Sequence, residues 1–440
     1  MTKASTARLV GRHPKATWTD LGVLVAVGLT ASWIASVVQA ESAGPDFLVN
    51  FSALPPLYYY SHGLEILAVM ASGLLAASRG RFRFLGFWQH IAFLVLFLTA
   101  AVWAVASYTF EELHSPLIFG ATGPFVWFSL IFVLPGTDRR VWSVIDPLIR
   151  ILSFATAALA VRSVVRIGES QYLVGLATPT VYTVLMMWLG GWTLLSATRL
   201  RGWRVAARAL PVLVLMMTAL FLQIRSWTIL ALLMGAAFVI LRSREHGSVL
   251  GAMRTFLVVF LIVLALAGAL YNTVLKNAIG GLAERAGDDT RSNQYVAFFS
   301  DVPISDLLLG RGPKGTWYWS AFFGDYQSFD NGYIWMLFIG GLPTLISYAA
   351  IVLCPAICLL GKNPRGQDAA AVCMVLFWGL AQTGLSTFSN PNAGLPSYVV
   401  SLYAGRCYLI LAEKAALRAQ RRIRRGRLLP SWAPSRQAAH

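Results

Sequence analysis

The feature that most constrains this chain is a repeat of long apolar runs, each about 17–25 residues, separated by short charged connections. A run of that length with few charges can cross a bilayer as an α-helix, because the helix satisfies its own backbone hydrogen bonds in lipid. A transmembrane barrel would instead show shorter segments alternating in polarity, and the runs here do not alternate. Composition agrees: charged residues are only 12% of the 440, and hydrophobic residues are 57%. Soluble domains carry roughly 25% charge. The fold class expected is an all-α polytopic membrane protein.

The runs number about twelve: 19–38, 57–78, 86–107, 117–134, 141–161, 173–195, two within 210–241, 255–269, 333–360, 369–385 and 395–411. The run 210–241 is too long for one span and carries a polar knot, Gln223-Ile224-Arg225-Ser226, so two helices joined there are expected. The run from Tyr333 holds Gly340-Gly341-Leu342-Pro343, where glycine and proline predict a break. The first run is longer than the roughly 7–15 residues of a signal peptide, which makes Val38-Gln39-Ala40 part of an anchor.

A net charge of +17 would suggest nucleic acid in a soluble protein. Here the basic residues fall in every second connection: Arg79, Arg81 and Arg83; Arg139 and Arg140; Arg199, Arg201, Arg204 and Arg208; Lys362 and Arg365; and the tail Arg418 to Arg427. That alternation is the positive-inside pattern, and no nucleic-acid partner is expected. It places both termini in the cytoplasm and the intervening connections outside. The tail arginines read as a topology signal or a contact with anionic lipids. The expected organisation is a cytoplasmic tail (1–18), a transmembrane domain (19–412) and a second basic tail (413–440). One long outer loop, about 271–331, lies between the ninth and tenth spans and carries short amphipathic helices.

Other polar residues inside the runs have local explanations. Asp146 and Arg150 are four apart and expected to pair, and Arg406 is expected to snorkel inward. His62 with Glu65, and Glu111 with His114, are each three apart near outer ends, where an interfacial hydrogen bond accounts for them. Cys354, Cys358, Cys373 and Cys407 lie in apolar runs and are expected as buried thiols. No His, Asp or Glu arrangement in an outer loop has metal-ligand spacing, so no metal and no cofactor is expected.

Candidate chemistry concentrates in and beside the outer loop. Arg225 sits at the start of a helix where two spans meet with almost no loop, so it needs a partner or a ligand. Gln223 lies beside it in the same knot. Arg291 follows Asp288 and Asp289 and leads an amphipathic stretch with Tyr295, Phe298 and Phe299, so a local salt bridge and a ligand contact are both open. Arg311 and Lys314 sit among Gly310, Gly312 and Gly315, where backbone amides and cations suit a phosphate; a solvated turn is the plain alternative. Asp330-Asn331-Gly332 precedes a span, so an N-cap is the first role for an Asp or Asn there. An acid at that boundary can also accept a proton from a sugar hydroxyl. Several outward arginines and one acid suit a substrate that carries its own diphosphate, which arginine forks hold and stabilise as a leaving group.

From Gln223 to Leu345 the chain resembles the O-antigen ligase and O-antigen polymerase superfamily of bacterial membrane glycosyltransferases. The likeness rests on Arg225-Ser226 at a helix start, Arg291 leading an aromatic helix, Leu309-Gly310-Arg311-Gly312, and Asp330-Asn331-Gly332-Tyr333 running to Gly340-Gly341. The resemblance implies transfer of a glycan from undecaprenyl diphosphate at the periplasmic face of the inner membrane, without metal. Arg225 and Arg291 would bind the diphosphate, and Asp330 would stand where the ligases have a histidine base. Arg311, Lys314, Asn331, Tyr295 and Gln223 would complete the substrate site. The acid in place of histidine leans toward a polysaccharide polymerase, with a lipid-linked repeat unit as acceptor and a chain-length regulator as a possible partner. Ligase-type transfer to another acceptor, and a transporter or flippase for a lipid-linked sugar, are the alternatives.

Overall fold

The computed structural model describes residues 19–42, 54–110, 125–170, 177–222, 224–247, 290–312, 315–319, 324–326, 331–383 and 394–428. Polar punctuation sets where its helices begin and end. α1 (Asp20–Ser42) starts beside Thr19, whose Oγ1 accepts from the Gly22 amide at 3.1 Å. α2 (Pro56–Ser78) starts at a proline, which needs no amide partner in a first turn. α3 (Phe87–Phe110), α4 (Arg139–Ser170) and α5 (Ala177–Leu195) follow. The run 210–241 is two helices, as its polar knot implies: α6 (Trp203–Phe221) and α7 (Arg225–His246).

Two short helices, α8 (Thr290–Asp301) and α9 (Ile304–Leu309), belong to the insert that follows α7. They are joined by a small antiparallel hairpin that the sequence reading does not anticipate, β1 (Trp317–Trp319) with β2 (Gly324–Tyr326). The last three long elements are α10 (Gly332–Tyr348), α11 (Gln367–Ala381) and α12 (Gly394–Leu428).

Among the described residues, eight helices are long and apolar enough to cross a membrane, and two shorter apolar helices accompany them, Thr180–Leu195 and Gln367–Ala381. The chain is therefore an all-α polytopic membrane protein. The expected span 255–269 lies outside the described residues. The expected span 117–134 is described only from Phe125, and there it is three short pieces, with a 3₁₀ turn over Ser129–Phe132 between Phe125–Phe128 and Val133–Gly136. α12 continues through the first part of the basic tail to Leu428, because this stretch is rich in strong helix formers, Ala, Leu, Lys and Arg.

α3 presents Leu94, Leu98, Val102 and Val105 outward, a lipid-facing stripe at helical spacing. α12 is central, with Leu402, Tyr403, Ala404 and Cys407 fully enclosed. The cysteines correct the sequence expectation, since only Cys407 is buried and Cys358 is exposed. Cys358 caps the short helix Cys354–Ile357, just before the basic connection at Lys362, where the chain leaves the packed interior.

One end of the bundle gathers the basic connections. Arg79 pairs with Asp20 at 3.4 Å, Arg139 with Glu413 at 2.5 Å, Arg199 with Glu245 at 3.2 Å, and Arg81 with Asp138. A turn or more inward, Arg150 pairs with Asp146 as expected, and Asp146 also accepts from Trp192 Nε1 at 2.9 Å and from Gln367 Nε2 at 3.0 Å. Arg406 does not snorkel to water. Its Nε and Nη2 donate to Asp368 at 2.9 and 2.8 Å, and the guanidinium lies 4.9 Å over the Trp142 ring. The insert lies at the opposite end.

Candidate functional site

The insert is fastened to the bundle through a break in α10. Gly341 has φ 73° and ψ 177°, which interrupts the helix and frees the carbonyls of the preceding turn. Two of these are taken by the insert: the Arg311 amide donates to Phe338 O at 2.7 Å and the Gly312 amide to Ile339 O at 3.0 Å. Gly310, at φ 86°, lies backbone to backbone against this break, and a Cβ on it would be 2.6 Å from Ile339 O. A Cβ on Gly341 would meet Leu308 O at the same 2.6 Å. Leu309-Gly310-Arg311-Gly312 and Gly340-Gly341 are thus two halves of one joint, and each needs glycine for close approach and positive φ.

By helical rise this joint lies about 13 Å along α10 from its start. The insert therefore dips beside a membrane-spanning helix, with its Arg311 and Gly312 amides met by carbonyls of that helix, as non-helical backbone at that depth requires. Ile304, Leu308 and Leu309 are exposed on the dipping part. Above the joint, Phe298 of α8 is fully buried, with its ring 5.6 Å from both Trp317 and Phe338. Val296 and Phe299 remain exposed on α8. This helix is therefore packed on one face and apolar on another, not simply floating on the membrane surface.

A polar cluster sits where α10 begins. Asn331 is the N-cap, its Oδ1 accepting from the amides of Tyr333 at 2.9 Å and Ile334 at 3.2 Å. Its Nδ2 donates to the Tyr295 hydroxyl and to Thr383 O, both at 3.4 Å, and the Tyr295 hydroxyl also donates to Thr383 O at 3.4 Å. The Gly332 amide donates to Gln382 O at 2.8 Å. Thus α8, α10 and the end of α11 meet at Asn331, Tyr295 and Thr383. The cap falls to Asn331, one residue after Asp330. Gln382 and Thr383 are absent from the sequence-level candidates, although two polar residues closing an apolar run ahead of a Ser-Asn-Pro turn were the available signal.

Arg225 is the first residue of α7 and Arg291 the second of α8, one helical turn before Tyr295. At the basic end, the Gly366 amide donates to Glu245 at 2.8 Å and ties α11 to α7. From Glu245 back to Arg225 α7 rises about 30 Å, and from Gly366 to Thr383 α11 rises about 25 Å. The start of α7 is therefore close to level with the Asn331–Tyr295–Thr383 cluster. Three helices, α7, α8 and α10, begin at this end, and helix starts carry partial positive charge that favours an anion.

Arg311 is engaged inside the insert. Its Nε donates to Asp306 at 2.5 Å, its Nη1 donates to Thr316 O, and its guanidinium lies 5.8 Å from the Phe338 ring centre. Gln223, Lys314 and Asp330 lie outside the described residues, as do Glu111 and His114. Among the described residues, no group of three His, Cys, Asp or Glu stands close enough together to hold a metal. No protein-family model matches the chain, and no curated protein is significantly similar to it.

Proposed function

We propose that this protein is a metal-independent glycosyltransferase of the bacterial inner membrane. It moves a growing glycan from undecaprenyl diphosphate onto a lipid-linked repeat unit, and so polymerises a polysaccharide at the periplasmic face. In this reading the acceptor hydroxyl attacks the anomeric carbon, the bond from that carbon to the diphosphate oxygen breaks, and the lipid leaves with the diphosphate. Arg225 and Arg291 hold the diphosphate and stabilise its charge as it departs. Asn331 and Tyr295 face the sugars, and Asp330 orients the acceptor or takes its proton. About twelve spans and cytoplasmic termini complete the topology.

The observation that supports the reading is that Arg225 and Arg291 stand in the first turns of α7 and α8, and the Asn331 cap opens α10, at the end of the bundle opposite the basic connections. An insert that dips beside α10 and exposes Ile304, Leu308 and Leu309 also suits a substrate with a lipid tail.

A transporter deserves comparison, because substrate and ion sites in transporters often use broken helices whose unwound carbonyls coordinate the ion. Here Phe338 O and Ile339 O at the break already accept the Arg311 and Gly312 amides. The break serves to dock the insert, which favours an enzyme over a carrier.

The test is to incubate the purified protein in lipid discs with lipid-diphosphate-linked repeat units in EDTA and to resolve the products by size. A ladder of lengthened glycans is expected. Absence of any growth, with or without added metals, contradicts the reading, and transfer to a different acceptor without a ladder reassigns it as a ligase.

A further inference from the structure

α12 leaves the packed interior at the basic end of the bundle: Tyr403, Ala404 and Cys407 are fully enclosed, and from Ala415 onward the helix is exposed. Where it emerges, Gly361 and Lys362 of the basic connection and Lys414, Leu417 and Arg418 of α12 line a pocket of about 260 Å³. Pockets for drug-sized ligands run to roughly 300–1,000 Å³, so this one suits a headgroup rather than a large substrate. Lys414 and Arg418 are four apart and lie on one face of the helix. Three cations therefore surround one pocket, and among the described residues no acid lines it. Like charges gathered in this way repel, and an anion drawn between them relieves the repulsion.

The acids near by are already taken. Asp368 holds Arg406 at 2.9 and 2.8 Å, and Glu413, one residue before Lys414, holds Arg139 at 2.5 Å. A second pocket, on the Arg365 side of the same connection, makes the contrast. Arg244 and Arg365 line it, but so does Glu245, whose carboxylate accepts from Arg199 at 3.2 Å and from the Gly366 amide at 2.8 Å. There the protein supplies the anion itself; between Lys362, Lys414 and Arg418 it does not.

The cations are also placed rather than merely solvated. A lysine at a membrane boundary usually stretches its ammonium into water. Lys414 instead folds back and donates to Lys362 O, which fixes one cation at the pocket wall. An ammonium has three N–H groups, so two remain for a ligand. Among the described residues, the Lys362 ammonium and the Arg418 guanidinium have no hydrogen-bond or ion-pair partner in the protein. Beside this charge the surface is apolar: Leu417 in the pocket wall, and Leu360 and Ile357 just before it in the chain, are all exposed.

We propose that this pocket binds the phosphate of an anionic membrane lipid. Arg418 and Lys362 pair with the phosphate oxygens, Lys414 donates from the pocket wall, and the acyl chains lie along Leu360 and Ile357. A basic pocket at the ends of membrane-spanning helices, with apolar surface next to it, matches a headgroup and its chains better than a soluble phosphate, which has no use for the apolar part. The bound lipid supplies the counter-charge that the protein omits and fastens α12 to the connection before α11. The site lies at the end opposite the insert and stands apart from the transfer reaction proposed above.

The experiment titrates the full-length protein in neutral detergent with phosphatidylglycerol, phosphatidylcholine or inorganic phosphate. It reads the melting temperature and, by native mass spectrometry, the lipid retained. Phosphatidylglycerol is expected to be retained and to raise the melting temperature, because a ligand that binds only the folded chain stabilises it. Phosphatidylcholine and inorganic phosphate at the same concentration should do neither. The double variant Lys362→Gln/Arg418→Gln should raise the half-saturating phosphatidylglycerol concentration by about 30-fold, the scale for losing two lipid-facing cations. Arg424→Gln/Arg425→Gln, which removes the same charge further along α12, should stay within a few-fold of wild type. Should the first double variant not fold, Arg418→Gln alone decides, with about a fivefold rise expected. Equal losses in the two double variants mean attraction to the whole tail and overturn the site. An equal response to phosphatidylcholine overturns the anion, and an equal response to inorganic phosphate overturns the lipid. No dependence on phosphatidylglycerol in wild type overturns the proposal outright.

Discussion

At the basic end of the bundle, arginines are tied to carboxylates on other helices: Arg79 to Asp20, Arg139 to Glu413, Arg199 to Glu245 and Arg406 to Asp368. At the other end, the described ties between insert and bundle use backbone amides, Asn331, Tyr295 and the Thr383 carbonyl. The first arrangement spends its charges on holding helices together. The second holds the insert mainly by neutral groups at the end where α7, α8 and α10 begin. Counting charges assigns sides to a membrane protein, but only long-range partners show which arginines brace its helices.

The largest effect expected from this contrast is on turnover. Arg225→Ala should lower the rate of chain growth by about 100-fold or more, the usual scale for losing one charge-stabilising donor. Its melting temperature should stay near that of wild type. Next comes the brace: Asp368→Asn leaves the Arg406 guanidinium, 8% exposed and packed over Trp142, without its counter-charge. A loss of about 2–3 kcal/mol is expected, read from thermal unfolding in detergent, with the rate per folded molecule preserved.

The joint between insert and α10 is tested by Gly341→Ala, which puts a Cβ against Leu308 O at positive φ. That should cost about 1–3 kcal/mol and speed limited proteolysis within the insert. The smallest effect belongs to the cap. Asn331→Ala should cost about 1 kcal/mol, while Asn331→Asp keeps an acceptor for the Tyr333 and Ile334 amides and should cost less. Equal losses for the two would mean that the Nδ2 bonds to Tyr295 and Thr383, rather than the cap, hold this point.

Much of the frame was legible in residue order because a bilayer imposes one period and one length on each crossing. The split at Gln223 to Ser226, the break at Gly340-Gly341 and the Asp146–Arg150 pair all follow from local chemistry. What residue order did not carry was long-range pairing. Arg406 finds Asp368 across helices, and nothing near Arg406 in sequence announces it. Arg311 looked available for phosphate because Asp306 and the Thr316 carbonyl become its partners only when the turn closes. The glycines of the 309–312 stretch and of 340–341 lie in separate segments, and that they form one joint depends on backbone contacts between them. The His62–Glu65 pair was visible as a spacing, but its enclosure by Tyr398 and Gly394 was not.

The claim that one end reacts and the other braces is tested most directly by initial rates of chain growth for Arg225→Ala and Asp368→Asn beside wild type, per folded molecule and in EDTA. The account predicts a rate lower by about 100-fold or more for Arg225→Ala at an unchanged melting temperature, and a rate within a few-fold of wild type for Asp368→Asn at a lowered one. Full activity in Arg225→Ala together with a dead but stable Asp368→Asn would contradict it.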